Sequence, residues 1–288
     1  MDKVKEKVPA SGGAETSTHN KIFYNESITS FFGNVKRAKK NFMSSGVMNI
    51  LIACEESQTV CAEMRKLGHE AYSADIQEPS GGHPEWHILG DVLPLINGNC
   101  KFVTMDGTAH QIVGKWDLLI AHPPCTYLSN AGACRLYPKR GELNQERYQK
   151  GLEAKEFFLK FLNADCDKIA VENPVHSKIF QTPPHSQEIQ PYQFGHPYSK
   201  KTRLWLKGLP PLVPTNIITE YTPFLPSGTS RKDKTKYGVK QLAHNSFDRS
   251  KTFSGIAEAM AKQWAGAANL PEMRGRKFES MEELRKAM

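Results

Sequence analysis

Apolar residues in this chain fall into short runs separated by polar, glycine-bearing stretches. The run "VMNILIAC" at 47–54 has no polar alternation, the pattern of a strand buried on both faces. A helical pattern over 57–67 follows and stops at Gly68. "HEAYSAD" (69–75) predicts a second strand that ends on an acid, and "GDVLPLI" (90–96) a short connection or helix start. The stretch 100–116 sets an Asp-Gly pair between two β-prone runs, which predicts a hairpin. "WDLLIA" (116–121) predicts the next strand and runs straight into Pro123, Pro124 and Cys125. Over 145–163, Leu152, Phe158, Leu159 and Leu162 form one stripe of a long amphipathic helix. "DKIAVENP" (167–174) and "TRLWLKG" (202–208) predict further strands, and helices are expected over 252–268 and 280–288.

Strands alternating with helices predict an α/β fold, a mostly parallel sheet covered on both faces. Ligands bind such sheets beyond the carboxyl ends of the strands. Asp75, Cys125 and Glu172 each stand at that place, after three different strands. The chain shows no internal repeat.

The rest of the chain is less patterned. Residues 1–46 lack steady periodicity and carry "KVKEK" and "NVKRAKK", a mobile basic tail with a short helix over "SITSFFGNVKRAKKNF" at most. The ordered domain is expected over 47–268, with a loop-rich insert at 204–250 and a terminal helix within 269–288. Lys and Arg exceed Asp and Glu by 38 to 30, giving a net charge of +8, which favours polyanionic partners such as nucleic acid. The six cysteines form no CxxC pair, which argues against a zinc ribbon or a thioredoxin motif. No metal site, signal peptide or membrane span is expected, so the reading is a cytoplasmic protein with free thiols. Nothing in the sequence fixes the oligomeric state; a monomer is the default expectation.

A lone cysteine is ordinarily a small buried hydrophobe. Cys125 has a different setting. Two prolines stiffen the chain before it, and "TYLSNAGACRLYPKRGE" follows it, a glycine-bearing segment with a basic end suited to moving over a substrate. His122 lies close by in sequence, but no protease signature surrounds the pair. A positioned, deprotonated thiol is a nucleophile.

"HPPC" at the end of one strand and "VENP" at the end of a later one resemble the DNA cytosine-C5 methyltransferase family. The span from about 48 to 268 is most similar to its small phage-type members. The resemblance implies the doubly wound, Rossmann-like sheet of class I S-adenosylmethionine-dependent methyltransferases. It also implies methyl transfer from S-adenosyl-L-methionine to cytosine C5 in DNA, in a bacterial or phage-infected cell. Cys125 would add to cytosine C6 and make C5 enamine-like. Glu172 would share a proton at N3, and Asn173 would hold the Glu172 turn. The family's Gln-x-Arg-x-Arg run corresponds to "SKKTRLWL" (199–206). There Arg203 matches the last arginine, a donor to cytosine O2, while Lys201 and Ser199 replace the other two residues.

For the cofactor, the resemblance implies Asp75 at the ribose hydroxyls and Asp91 at the adenine amine. Pro123 would lie against the methyl donor, and Ser254 and Gly255 in the closing turn. The chain departs from the family at its first strand. "IACEES" (52–57) stands where a glycine-rich turn is usual, and backbone bearing side chains approaches a ligand less closely. Three outcomes stay open there: the cofactor is held differently, Glu55 or Glu56 meets its ammonium group, or the cofactor is a modified one or its binding is lost. The short insert at 204–250 implies loose sequence specificity, and "SGTSRKDKTKYG" (227–238) could track a phosphate backbone. The target cytosine would be single-stranded or flipped from a duplex. Two rival readings stand beside the first: the same chemistry on RNA or a free cytidine nucleotide, and a non-catalytic nucleic-acid-binding protein on a degenerate methyltransferase fold.

Overall fold

The computed structural model describes residues 46–133, 135–139, 141–225 and 249–267. The tail expected over 1–46, apart from Gly46, lies outside the described residues, as do the basic stretch at 227–238 and the terminal helix within 269–288.

The architecture is α/β, built on a seven-stranded sheet. Chain order runs β1 (Asn49–Ala53), α1 (Thr59–Lys66), β2 (Glu70–Asp75), β3 (His87–Leu89), β4 (Lys101–Val103), β5 (Ala109–Gln111) and β6 (Leu118–Ala121). Then come α2 (Gln145–Leu162), β7 (Ile169–Pro174), β8 (Gln187–Ile189), β9 (Tyr198–Ser199), β10 (Thr202–Lys207), β11 (Thr222–Pro223) and α3 (Ser254–Met260). The main sheet has the order β3-β2-β1-β6-β7-β10-β8. Neighbours from β3 to β7 are parallel; β10 runs antiparallel to both β7 and β8. The order reverses direction between β1 and β6, the switch point of a doubly wound, Rossmann-like sheet.

Both faces of the sheet are covered, which is why its central strands carry unbroken apolar runs at 50–53 and 118–121. Leu51, Ala53, Leu119, Ala121, Ile169 and Val171 face Phe158 and Phe161 of α2. The alternate positions Ile50, Ile52, Leu118, Ile120 and Ala170 face Val60, Cys61 and Met64 of α1 and Ile256 and Met260 of α3. The expected hairpin forms as β4 and β5, paired antiparallel across the Asp106-Gly107 turn. It packs Phe102 and Ile112 into the α2-side core, so the crossover from β3 to β6 is covered by a hairpin and not by a helix.

Several boundaries differ from the sequence expectation for local reasons. Helix α1 begins at Thr59, because Gln58 before it is left-handed at φ 57°. Helix α3 begins at Ser254 and passes after Met260 into one π-type turn, Ala261–Ala265. β3 and β8 were not foreseen; each is three residues long, too short for a period-two pattern to show. No helix among the described residues is long and apolar enough to cross a membrane.

Candidate active site

The carboxyl ends of β1, β2, β3, β6 and β7 lie along one edge of the sheet, and Asp75, Asp91, Pro123, Cys125 and Glu172 stand there in two groups. The first surrounds the turn after β1. Cys54 takes a left-handed φ of 58°, which costs a residue with a side chain about 1–2 kcal/mol. The amides of Cys54 and Glu55 both donate to the Ala74 carbonyl, at 2.7 and 3.3 Å. The turn therefore adopts a backbone geometry that glycine favours, without glycine. Asp75 and Asp91 converge on this turn. The Cys54 thiol is pushed far up by burial first and then by the charges of Asp75 and Asp91. Each acid uses one oxygen locally: Asp75 Oδ1 accepts from the Gln77 amide at 2.9 Å, and Asp91 Oδ1 from the Leu93 amide at 3.0 Å.

Glu55 does not reach toward a ligand. Its side chain is buried, and its two oxygens accept from the amides of Val60 (2.6 Å) and Cys61 (3.1 Å) in the first turn of α1. Burial raises its carboxyl above the ordinary range, against the opposing charge of His122 and those two amide bonds. Of the acids in "IACEES", this one is a fixture of the fold.

The second group surrounds Cys125. β6 ends at Ala121, and the amide of His122 donates to the Ala53 carbonyl at 2.9 Å, tying the exit of β6 to that of β1. A relay of neutral groups then fixes the proline turn. Thr182 Oγ1 donates to His176 Nδ1 (3.0 Å), His176 Nε2 to Asn173 Oδ1 (2.9 Å), and Asn173 Nδ2 to the Pro123 carbonyl (2.7 Å). These directions follow because burial, helped by the Arg203 charge, lowers His176 to about 4 and keeps it neutral. Its ring stacks on Trp205 with centroids 4.8 Å apart. The prolines thus supply a stiff turn whose carbonyl is clamped to the end of β7, and Cys125 follows on it. The start of the segment after Cys125 is pinned as well. The Ser129 amide donates to the Cys125 carbonyl, Asn130 to Val175, and Ser177 to Leu128.

We expect Asn173→Ala to destabilise the fold by about 1–3 kcal/mol, since it leaves the Pro123 carbonyl and the His176 N–H buried without partners. Denaturant unfolding of the variant beside the wild type measures this; equal midpoints would show that the clamp is not what holds the turn.

Cys125 and Glu172 come together across the ends of β6 and β7. The Cys125 thiol is raised by burial and then by the Glu172 charge, and is drawn down by Lys200 and Arg249. Glu172 Oε2 lies 3.2 Å from His122 Nδ1, with side-chain exposures of 15% and 9%. Burial pushes the Glu172 carboxyl up, but the His122 hydrogen bond and charge, with that of Lys200, outweigh it and hold the carboxyl below its ordinary value. Lys200 Nζ donates to the Arg249 carbonyl at 2.5 Å, and the Arg249 guanidinium sits 5.4 Å over the Phe224 ring. Glu172, Lys200, Thr202, Thr252 and Phe253 line a narrow cleft.

Two predicted groups stand apart from this centre. Arg203 is paired in register with Asn173 on one side and with Glu188 on the other, while Leu204 is opposite Glu172. Alternation along β10 therefore sets Arg203 on the α2 face and Glu172 on the α1 face. The Arg203 Nε lies 3.5 Å from Glu188 Oε2, and Lys201 Nζ binds the same carboxylate at 2.9 Å. Ser254 and Gly255 start α3 against the loop after β8. The Gly255 amide donates to His196 Nε2 at 2.9 Å, and a Cβ on Gly255 would stand 1.9 Å from the Phe194 carbonyl oxygen, so only glycine fits. The segment before α3 reaches the loop after β2, where Lys251 Nζ donates to Ser80 Oγ at 3.2 Å.

His122, Lys200 and Arg249 were not among the site residues read from the sequence. His122 carried a usable signal, because it directly follows β6 at the carboxyl edge of the sheet. Lys200 sits in the same "SKKTR" run as Arg203, and nothing local says which of its cations turns toward Glu172. Among the described residues no group of three or more His, Cys, Asp or Glu side chains is arranged to hold a metal ion. In comparison with known proteins, no family model matches the chain, and no curated protein is significantly similar to it.

Proposed function

We propose that this protein is a cytosine-C5 methyltransferase acting on nucleic acid, with S-adenosyl-L-methionine as methyl donor and DNA as the leading substrate. The observation that carries the reading is that Cys125 and Glu172, after neighbouring parallel strands, lie near enough for the Glu172 charge to act on the thiol, at the carboxyl edge of a doubly wound sheet. A thiol and an acid so placed suit addition to C6 with protonation at N3, which is what activates C5 as a carbon nucleophile. Lys200, whose charge acts on both groups, favours the thiolate and the carboxylate together.

The residues around the β1 turn fit the adenosine half of the cofactor. Asp75 and Asp91 flank one turn, and each uses only one oxygen in its local amide contact. Carboxylates at the ends of β2 and β3 suit ribose hydroxyls and an adenine amine. When bound, the cofactor supplies an electrophilic methyl group. The left-handed Cys54 supplies the tight turn that a glycine would otherwise give, and the buried Glu55 keeps its charge on α1 and away from the ligand side. Arg203 is not carried into this mechanism, because its ion pair with Glu188 directs it to the other face.

The deciding experiment is methyl transfer from labelled S-adenosylmethionine to DNA, RNA and cytidine nucleotides in parallel. Label in cytosine C5 of DNA supports the reading. Label in RNA or nucleotide alone keeps the chemistry and changes the substrate. No label in any cytosine, with the protein folded and DNA bound, favours a nucleic-acid-binding protein without transfer activity.

A further inference from the structure

The proposed mechanism needs a proton at cytosine N3, yet its acid is held ionised. Glu172 lies at hydrogen-bond distance from a histidine, and their contact is almost closed to solvent. The histidine ring is placed by the backbone: its own amide is tied to Ala53, and Pro123 follows it. Its other nitrogen, Nε2, is buried and has no hydrogen-bond partner among the described residues. Such an orphan atom costs about 1–3 kcal/mol, a cost set against the ring's contact with Glu172.

We infer that His122 is a positioning residue for Glu172 that stores, as an imidazolium, the proton Glu172 delivers to the substrate base. The inference rests on the methyltransferase reading. The groups facing the ring are Glu172 from β7, Glu55 from the turn after β1, and Lys200 from the turn before β10. Burial alone would lower the histidine; the Glu172 hydrogen bond and charge, aided by Glu55, overcome it and raise the imidazole above its ordinary value, with Lys200 opposing. The ring therefore holds a proton more readily than a free imidazole does.

The step balances as follows. The Cys125 thiolate forms the Sγ–C6 bond. The C5–C6 π pair moves to C4–C5, and the C4–N3 π pair settles on N3. The Glu172 carboxylate takes the proton from His122 Nδ1 and passes it to N3, which leaves a neutral imidazole and Glu172 a carboxylate again. After methyl transfer the C5 proton is lost to solvent, the C5–H pair forms the C5–C6 π bond, Sγ leaves as thiolate, and the N3 proton returns by the same path. Glu172 is thus a relay, and it can stay ionised between turnovers without losing its role as an acid.

Two measurements on the full chain test this. The first is a titration of the His122 ring by nitrogen-15 chemical shifts, without substrate. The wild type is expected to keep an imidazolium above the ordinary pH of 6.5, and Glu172→Gln is expected to drop it below. The second is single-turnover methyl transfer against pH for His122→Gln, which keeps an N–H donor but holds no transferable proton. A rate loss of about tenfold or more is expected, below the ~10²–10⁴ of a group touching the reacting atoms, together with a displaced high-pH limb. A merely structural histidine would lower the rate equally at every pH. A neutral His122 at pH 7 in the wild type, or an unchanged pH profile in a folded His122→Gln protein, overturns the inference while the methyltransferase reading stands. Absence of methyl transfer by the wild type overturns that reading, and this inference with it.

Discussion

Cys125→Ser is expected to form no covalent complex with a cytosine that carries fluorine at C5, whereas the wild type with methyl donor becomes trapped on it. Fluorine cannot leave C5 as a proton does, so an adduct formed through Sγ persists after denaturation and shows as a mass increase. A serine hydroxyl at neutral pH offers almost no alkoxide in a site this buried. Removing a nucleophile that works with neighbouring groups typically costs roughly 10⁴–10⁶ in turnover. The effect should be confined to rate: Cys125 is partly buried on a turn whose clamp runs through Pro123 and Asn173, so the serine protein should fold and still bind cofactor. Turnover by Cys125→Ser near that of the wild type would remove the covalent mechanism altogether.

Glu172→Gln is expected to split two observables in opposite directions. Glutamine keeps the shape and can donate a hydrogen bond to N3, but it cannot transfer a proton. A rate loss of roughly 10²–10⁴ follows, the range for a positioned acid–base group. Cofactor affinity should barely change, because Asp75 and Asp91 gather at the separate turn after β1. The reactivity of the thiol should rise. Burial is the first cause that lifts the Cys125 thiol and the Glu172 charge the second, so removing that charge leaves Lys200 and Arg249 less opposed and lowers the thiol. Alkylation of Cys125 near pH 8 should therefore be faster in Glu172→Gln than in the wild type, while methyl transfer is slower. Equal alkylation rates would show that the carboxylate does not act on the thiol. Unchanged turnover would make Glu172 a structural acid.

The strands and the edge on which the site stands were legible in the sequence, and the reason is local. Unbroken apolar runs such as "NILIA" and "LLIA" are required wherever a parallel strand is covered on both sides, and the chain wrote them plainly. Acids and prolines directly after those runs mark the strand ends, so Asp75, Cys125 and Glu172 could be placed along one edge before any coordinates. In the structure Asp75 and Asp91 both act on the turn after β1, and the Glu172 charge acts on the Cys125 thiol.

Which side chains meet at the edge was decided by tertiary structure alone. Arg203 and Lys200 stand three residues apart in one basic run, and composition treats them alike. The antiparallel register of β10 against β7 sends Arg203 to Glu188 on the α2 face, while Lys200, in the turn just before the strand, acts on Glu172 and Cys125. A shift of that register by one residue would exchange the faces, and no local pattern encodes the register of two segments separated by a loop. The same holds for His122, whose partner lies fifty positions away on the next strand of the sheet. Its ring meets Glu172 only because β6 and β7 are parallel neighbours, with Ala121 beside Val171. Glu55 is the converse case. By position it stands at the ligand edge, but the first amides of α1 claim both of its oxygens, and a carboxylate satisfied by two buried N–H groups has little left to offer a ligand.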